Sequence, residues 1–319
     1  MKKKIAFIVN PISGTANKKA VLKYLEETFT PERGYDAVFY KTQGAGDAYT
    51  AALKFRDENF HIVVAVGGDG TVNQVARGLV NCNTSLGIIP VGSGNGLARH
   101  LKLPRFYHGA VDVILGGKTQ QIDAGKINDE VFFCTAGIGF EAVIGDRFNS
   151  AGSRGLITYL EQCAKEYVNY RREEYKISIP GYEFSTKAFL ITFANSSQWG
   201  NNVFIAPGAD ISDGMIDMVV WKRALLANMP FLTAGLLMKT IQYSEYVDTF
   251  RCKEIIITRQ NDSLIQFDGE SRRMGRELHI SVIHNAVKVL VPEEFNLITY
   301  ARNIAPRLME HLSALENIS

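Results

Sequence analysis

The chain has 319 residues and is 46% hydrophobic, enough for two packed domains. Lys and Arg total 35 against 33 Asp and Glu, which excludes the global basic field of a nucleic-acid binder. The four cysteines, Cys82, Cys134, Cys163 and Cys252, lie far apart with no C-x-x-C pair. That spacing excludes a zinc motif and a disulfide framework, and reads as reduced thiols in a cytosolic protein. Behind Lys2-Lys3-Lys4 the apolar run reaches only residue 9 before Asn10-Pro11, too short for a signal peptide, so a buried first strand is expected.

The first part alternates two rhythms. Strands are expected over residues 4–9, 35–40, 61–66 and 86–90, and helices over 16–28, 46–59 and 72–80 and from 94 to 100. This β-α repetition predicts a doubly wound, mainly parallel α/β sheet. From about residue 122 the rhythm changes to short strands, at 131–134, 175–179, 184–195, 215–221, 254–258, 264–268 and 278–282. Turn residues separate them, as in an antiparallel sandwich. Helices are expected at 158–170 and 224–243. The expected division is a nucleotide-binding domain over 1–122 and a β-rich acceptor domain over 123–294, with the tail 295–319 packing back on the first.

In open α/β sheets, ligands collect at the carboxyl ends of the strands. Three glycine-bearing loops follow strands there: Asn10-Pro11-Ile12-Ser13-Gly14, Gly67-Gly68-Asp69-Gly70-Thr71 and Gly92-Ser93-Gly94-Asn95-Gly96. Bare N–H groups before a helix suit phosphates, and Asp69 suits Mg²⁺, directly or through its waters. Any one such loop also serves as a turn, but three in the same topological place are hard to dismiss. No G-x-x-x-x-G-K-[ST] run occurs, so the chain is not a standard P-loop enzyme.

Gly67-Gly68-Asp69-Gly70-Thr71-Val72-Asn73, with Asn10-Pro11 before it and Gly92-Ser93-Gly94-Asn95 after it, resembles the soluble diacylglycerol kinase and lipid kinase family, which includes sphingosine and ceramide kinases. The likeness continues through Asp213-Gly214-Met215-Ile216-Asp217 and Phe267-Asp268-Gly269-Glu270, so it covers nearly the whole chain. The resemblance implies an ATP- and Mg²⁺-dependent kinase acting on a lipid hydroxyl in a cleft between two domains. It implies nucleotide contacts at Asn10, Pro11, Ile12, Ser13, Gly14, Thr42, Gly67, Gly68, Asp69, Gly70, Thr71, Val72, Asn73 and Ser93. A structural Mg²⁺ is implied at the Asp213 side chain with carbonyls near Asp210 and Met215. Glu270 is implied as proton acceptor, with Asp268 in one acidic network with Asp69. The expected partners are ATP and a membrane lipid visited from the cytoplasmic face, without nucleic acid or zinc, and a homodimer is left open. Gln74 and Gly96 depart from many bacterial relatives, which carry acids there. They leave the lipid undecided between a diacylglycerol and a sphingoid base, and keep open an NAD kinase-like enzyme or a regulatory module that binds nucleotide without turnover.

Each functional reading has a plainer rival. Asp268-Gly269 alone reads as a hairpin turn with an exposed Glu270, and Asp213-Gly214 as an ordinary turn before a strand. The apolar stretch 224–238 reads first as a core helix and second as a lipid-facing lip. Arg147, Arg154, Arg171 and Arg172, near Tyr159, Tyr167 and Tyr170, read first as solvated surface and second as a headgroup contact. His100 reads as a surface residue.

Overall fold

The structure is a computed structural model that describes residues 2–13, 18–92, 94–150, 166–167, 170–222, 224 and 226–293. Gly14, Ser93, Arg154, Tyr159, most of the helix expected at 158–170 and the tail from 294 lie outside the described residues. In chain order the elements begin β1 (Lys3–Val9), α1 (Lys18–Thr28), β2 (Tyr35–Lys41), α2 (Asp47–Asp57), β3 (Ile62–Gly67), α3 (Asp69–Gly78), β4 (Ser85–Pro90), α4 (Gly96–His100) and α5 (Tyr107–Gly116). Then follow β5 (Lys118–Ile127), β6 (Glu130–Phe132), β7 (Thr135–Gly139), α6 (Phe140–Ser150), β8 (Glu173–Ile179), β9 (Tyr182–Ala188) and β10 (Leu190–Ala194). The remainder are β11 (Ile216–Trp221), α7 (Met229–Met238), β12 (Val247–Cys252), β13 (Glu254–Arg259), β14 (Ser263–Phe267), β15 (Glu270–Met274) and β16 (Glu277–Val291).

The expected α/β half forms around β2-β1-β3-β4, all parallel. β3 is buried at every position, as a strand covered on both faces must be. Val21 and Leu25 of α1, one turn apart, go into the core beneath it. The antiparallel half is a second sheet, ordered β12-β11-β10-β7-β14-β15, packed on the far end of the first sheet. Along β11, Ile216, Met218 and Val220 enter the layer between the sheets, while Val219 and Trp221 face the opposite cluster with Leu232 and Leu236 of α7.

One strand joins the halves. The sequence marks 278–282, but β16 runs for 15 residues, pairing with β13 at one end and parallel to β4 at the other. A bulge between Ile283 and Val287 lets it follow β5 around the corner. The buried Asp123 carboxylate holds this bulge, accepting from Asn285 N at 2.7 Å, His284 Nδ1 at 2.8 Å and Gly214 N at 2.6 Å. Residue 122 therefore falls inside a strand of the continuous sheet rather than in a linker.

Two expectations need correction. The run 184–195 is two strands, β9 and β10, because β9 pairs with β8 and β10 joins the other sheet. The stretch 224–243 holds a ten-residue helix between two 3₁₀ turns, as Pro230 starts α7 and Lys239 in a left-handed conformation ends it. α5, β7 and α6 carry no sequence expectation at all; Thr135-Ala136-Gly137-Ile138-Gly139 becomes strand only because neighbours on both sides pair with it.

Candidate active site

β1, β3 and β4 end side by side, so their loops converge. Asn10 Nδ2 donates to Thr71 Oγ1 at 3.0 Å, fastening the first loop to the start of α3. Within that loop Ile12 N bonds Asn10 Oδ1 at 3.1 Å, and the Lys18 amine meets the carbonyls of Pro11, at 2.9 Å, and Ser13. Thr42, buried after β2, donates its N–H to Val9 O at 2.9 Å. The second and third loops touch through bare backbone: a Cβ on Gly92 would lie 2.5 Å from Gly68 Cα, and one on Gly67 2.4 Å from Thr71 Cβ. Only glycine permits that approach. No side chain caps the N-terminus of α3, so its first amides keep their donors for a ligand. Val72 turns its side chain into the core.

Asp69 does more than face solvent. Its Oδ2 accepts from Asn95 N at 2.7 Å and its Oδ1 from Gly96 N at 2.6 Å, so it locks the second loop to the third. A carboxylate oxygen has two acceptor sites, and each of these retains one.

The other wall is the β14–β15 hairpin. Asp268 and Gly269, at φ +46° and +97°, make the two-residue Asp-Gly turn that the sequence suggests as the plain reading. The turn is nevertheless bound into the site. Asp268 Oδ2 accepts from Asn73 Nδ2 at 2.6 Å and Phe133 N at 2.7 Å; Oδ1 accepts from Cys134 N at 2.8 Å and Thr135 N at 3.0 Å. The three amides lie where β6 has ended at Phe132 and β7 is only starting at Thr135. Burial pushes the Asp268 carboxyl up from the usual carboxylate range, and the four donors pull it down.

Glu270 is the first residue past the turn. Its Oε1 lies 3.6 Å from where a Cβ on Gly70 would stand, so residues 200 apart in the chain face each other at the N-terminus of α3. About half of its side chain is exposed, and Arg272 stands 3.9 Å from its Oε2. Arg272 also contacts Glu130, which pairs with Arg77 of α3 at 3.0 Å. This ion chain crosses from one wall to the other. The sequence reading missed it, since no spacing connects residues 77, 130 and 272.

Asp69, Asp268 and Glu270 thus come together with the loops, and the 210–215 segment does not. Asp213 Oδ2 contacts the Arg251 guanidinium and Oδ1 accepts from Met215 N at 2.9 Å, while Asp210 Oδ1 takes Ser212 N at 3.0 Å. In this arrangement the Arg251 guanidinium supplies the positive charge at Asp213 that a structural divalent ion would supply. Among the described residues no three His, Cys, Asp or Glu side chains cluster closely enough to hold a metal. At the cleft itself Asp69 keeps open acceptor positions, and Mg²⁺ is usually held by one or two carboxylates plus the phosphates of its substrate.

His100 is half-buried rather than at the surface; its Nδ1 lies 3.3 Å from Ser197 Oγ, and burial holds the imidazole below its ordinary pKa. Arg147 pairs with Glu166 at 3.3 Å and the Tyr167 hydroxyl bonds Ala224 O. On α7, Leu232 and Leu236 are buried while Phe231, Leu237 and Met238 are exposed, so one face of the helix joins the core and the other is left to solvent. No helix among the described residues is long and apolar enough to cross a membrane.

Comparison with known proteins places both halves of the chain among relatives of one family. A family model for the diacylglycerol kinase catalytic domain matches residues 4–127, and one for a YegS C-terminal NAD kinase beta sandwich-like domain matches 134–291. Both halves of the chain thus match models of the diacylglycerol kinase family. A Bacillus subtilis diacylglycerol kinase is 28% identical over 299 residues, covering 92% of this chain and 97% of its own. One from Staphylococcus saprophyticus is 28% identical over 283 residues, covering 85% and 90%. The crystal structure of a diacylglycerol kinase from Bacillus anthracis superposes with a TM-score of 0.71 at 21% identity, over 91% of this chain and 97% of that one, and shares the fold.

Proposed function

We propose that the protein is an ATP- and Mg²⁺-dependent lipid kinase that transfers a γ-phosphate to the hydroxyl of a diacylglycerol-like lipid. The observation that carries this reading is Glu270 standing over Gly70: a carboxylate from the β-rich half at the mouth of an anion-accepting helix end in the α/β half. Residues 1–122 supply the triphosphate wall and 123–294 the acceptor wall.

Phosphoryl transfer asks mainly for positioning and charge stabilisation. The free amides of α3 and the backbone of the first and third loops cradle the phosphates. Asp69 is the residue that would hold Mg²⁺, directly or through its waters, and the ion would supply neutralisation of charge on the phosphate oxygens. Glu270 takes the acceptor's proton. Asp268 cannot share that task, because both of its oxygens are committed to four protein donors; it clamps the hairpin against Asn73 instead.

The test is label transfer from γ-labelled ATP to a panel of diacylglycerols, ceramides and sphingoid bases in mixed micelles, with NAD and sugar phosphates alongside. Label in a diacylglycerol is the expected result. Label only in NAD or only in a sugar phosphate ends the lipid assignment.

A further inference from the structure

Behind the hairpin lies a buried acid that the proposed chemistry does not use. Glu141, at the start of α6, is 7% exposed and folds back over the second sheet. A Cβ on Gly137 of β7 would lie 2.1 Å from its Cδ, so Gly137 leaves the space that the carboxyl fills. The cross-strand neighbours of Gly137 are Thr192 on β10 and Gln266 on β14, and the carboxyl engages both. The Thr192 hydroxyl donates to Oε2. The Gln266 amide, oriented so that both its ends meet complementary partners, donates to Oε1 at 3.3 Å and accepts from Gly269 N at 2.6 Å. Gly269 is the turn residue between Asp268 and Glu270. Gly145, one turn along α6, seats the helix on Gln266 and Ser271.

We propose that Glu141 is a positioning residue for Glu270, acting through Gln266 to hold the Asp268-Gly269 turn from its inner side. The reading rests on Glu270 as the proton acceptor. The Asp268 clamp fixes the turn from the α3 side, and the Glu141–Gln266 pair fixes it from the α6 side, so two independent anchors define where the Glu270 carboxylate points.

The state of Glu141 makes the anchor sensitive to pH. Burial pushes its carboxyl up to about 8, opposed by the Thr192 hydroxyl and the Trp199 indole, with no contribution from a charged neighbour. Charged groups on the elements packed against α6 are Glu270, Arg272 and Arg273 on β15, with Asp146 and Arg147 on α6 itself; Tyr167 and Tyr170 pack on Phe140. Burial therefore favours the protonated acid at neutral pH. Ionisation at higher pH places a buried negative charge under the turn that faces the Thr192 and Gln266 donors and no cation. The folded-state value exceeds the unfolded one, so the proton's contribution to stability is complete below about 4.5 and is lost as pH rises through 8.

Two readouts test the proposal, one of them independent of activity. Hydrogen exchange at the Gly269 amide is measured for wild type, Glu141→Gln and Glu141→Ala at pH 7. Glu141→Ala is expected to speed it about tenfold or more, by freeing the Gln266 amide. In the kinase assay, wild-type kcat is expected to fall about tenfold for each pH unit above 8, while Glu141→Gln, having no proton to lose, shows no such limb. Unchanged Gly269 exchange in folded Glu141→Ala overturns the proposal, as does a wild-type alkaline limb surviving in Glu141→Gln. If wild type phosphorylates no lipid, the kinase reading fails on its own, and the exchange measurement still decides whether Glu141 holds the turn.

Discussion

The two walls of the cleft are built in opposite ways. The glycine-loop wall withholds side chains: α3 begins without a cap, Gly68 and Gly92 meet through bare backbone, and the amides are left for a ligand. The hairpin wall does the reverse. Asp268 spends all of its acceptors on Asn73, Phe133, Cys134 and Thr135, and only then does Glu270, two residues on, reach the opening. The difference teaches that two carboxylates in one motif are assigned their tasks by the donors around them. The oxygen without protein donors is the one left for chemistry.

The comparison breaks most visibly at Glu270. Glu270→Gln is expected to cut kcat by roughly 10²–10⁴ with an unchanged melting temperature, because a half-exposed side chain carries little of the fold. Asp69→Asn is expected to lose transfer similarly. Wild-type turnover in Glu270→Gln would remove it from the mechanism. Asp268→Ala is expected to show the opposite pattern, a loss of about 3–5 kcal/mol in chemical denaturation, since four buried donors lose their acceptor together. A fully stable Asp268→Ala with reduced kcat would reverse the two roles.

On the other wall, Gly92→Ala drives a methyl into Gly68 and is expected to cost about 1–3 kcal/mol while raising KM for ATP. An ATP KM that stays at the wild-type value would detach the third loop from the nucleotide. The smallest effect is expected away from the cleft. Arg251→Met should lower stability by no more than about 1 kcal/mol, because that ion pair is partly exposed, and EDTA should leave the melting temperature of the protein alone unchanged. A clear drop with chelator would show a divalent ion at Asp213 after all.

Much of this was readable before the structure. The alternation of apolar runs and glycine loops announces the parallel sheet, since a buried strand must be apolar throughout and a phosphate loop must lack side chains. The Asp268-Gly269 turn was readable as a turn, and its hairpin is present. What stayed hidden was non-local. The strand at Thr135–Gly139 has weak strand composition and depends on two neighbours. The ion chain from Arg77 through Glu130 and Arg272 to Glu270, and the seat of Glu141 on Gly137, join residues with no fixed spacing.

Residue type and order alone determined that three bare loops end three apolar strands and that an acidic turn follows far downstream, because backbone sterics and hydrophobic period act over a few residues. Only the tertiary structure decided that Asn73 and residues 133–135 would absorb Asp268 while Glu270 stayed open toward Gly70. Those assignments depend on which donors α3 and the link from β6 to β7 bring to about 3 Å from the hairpin, and hydrogen-bond partners are set by distance in space rather than along the chain.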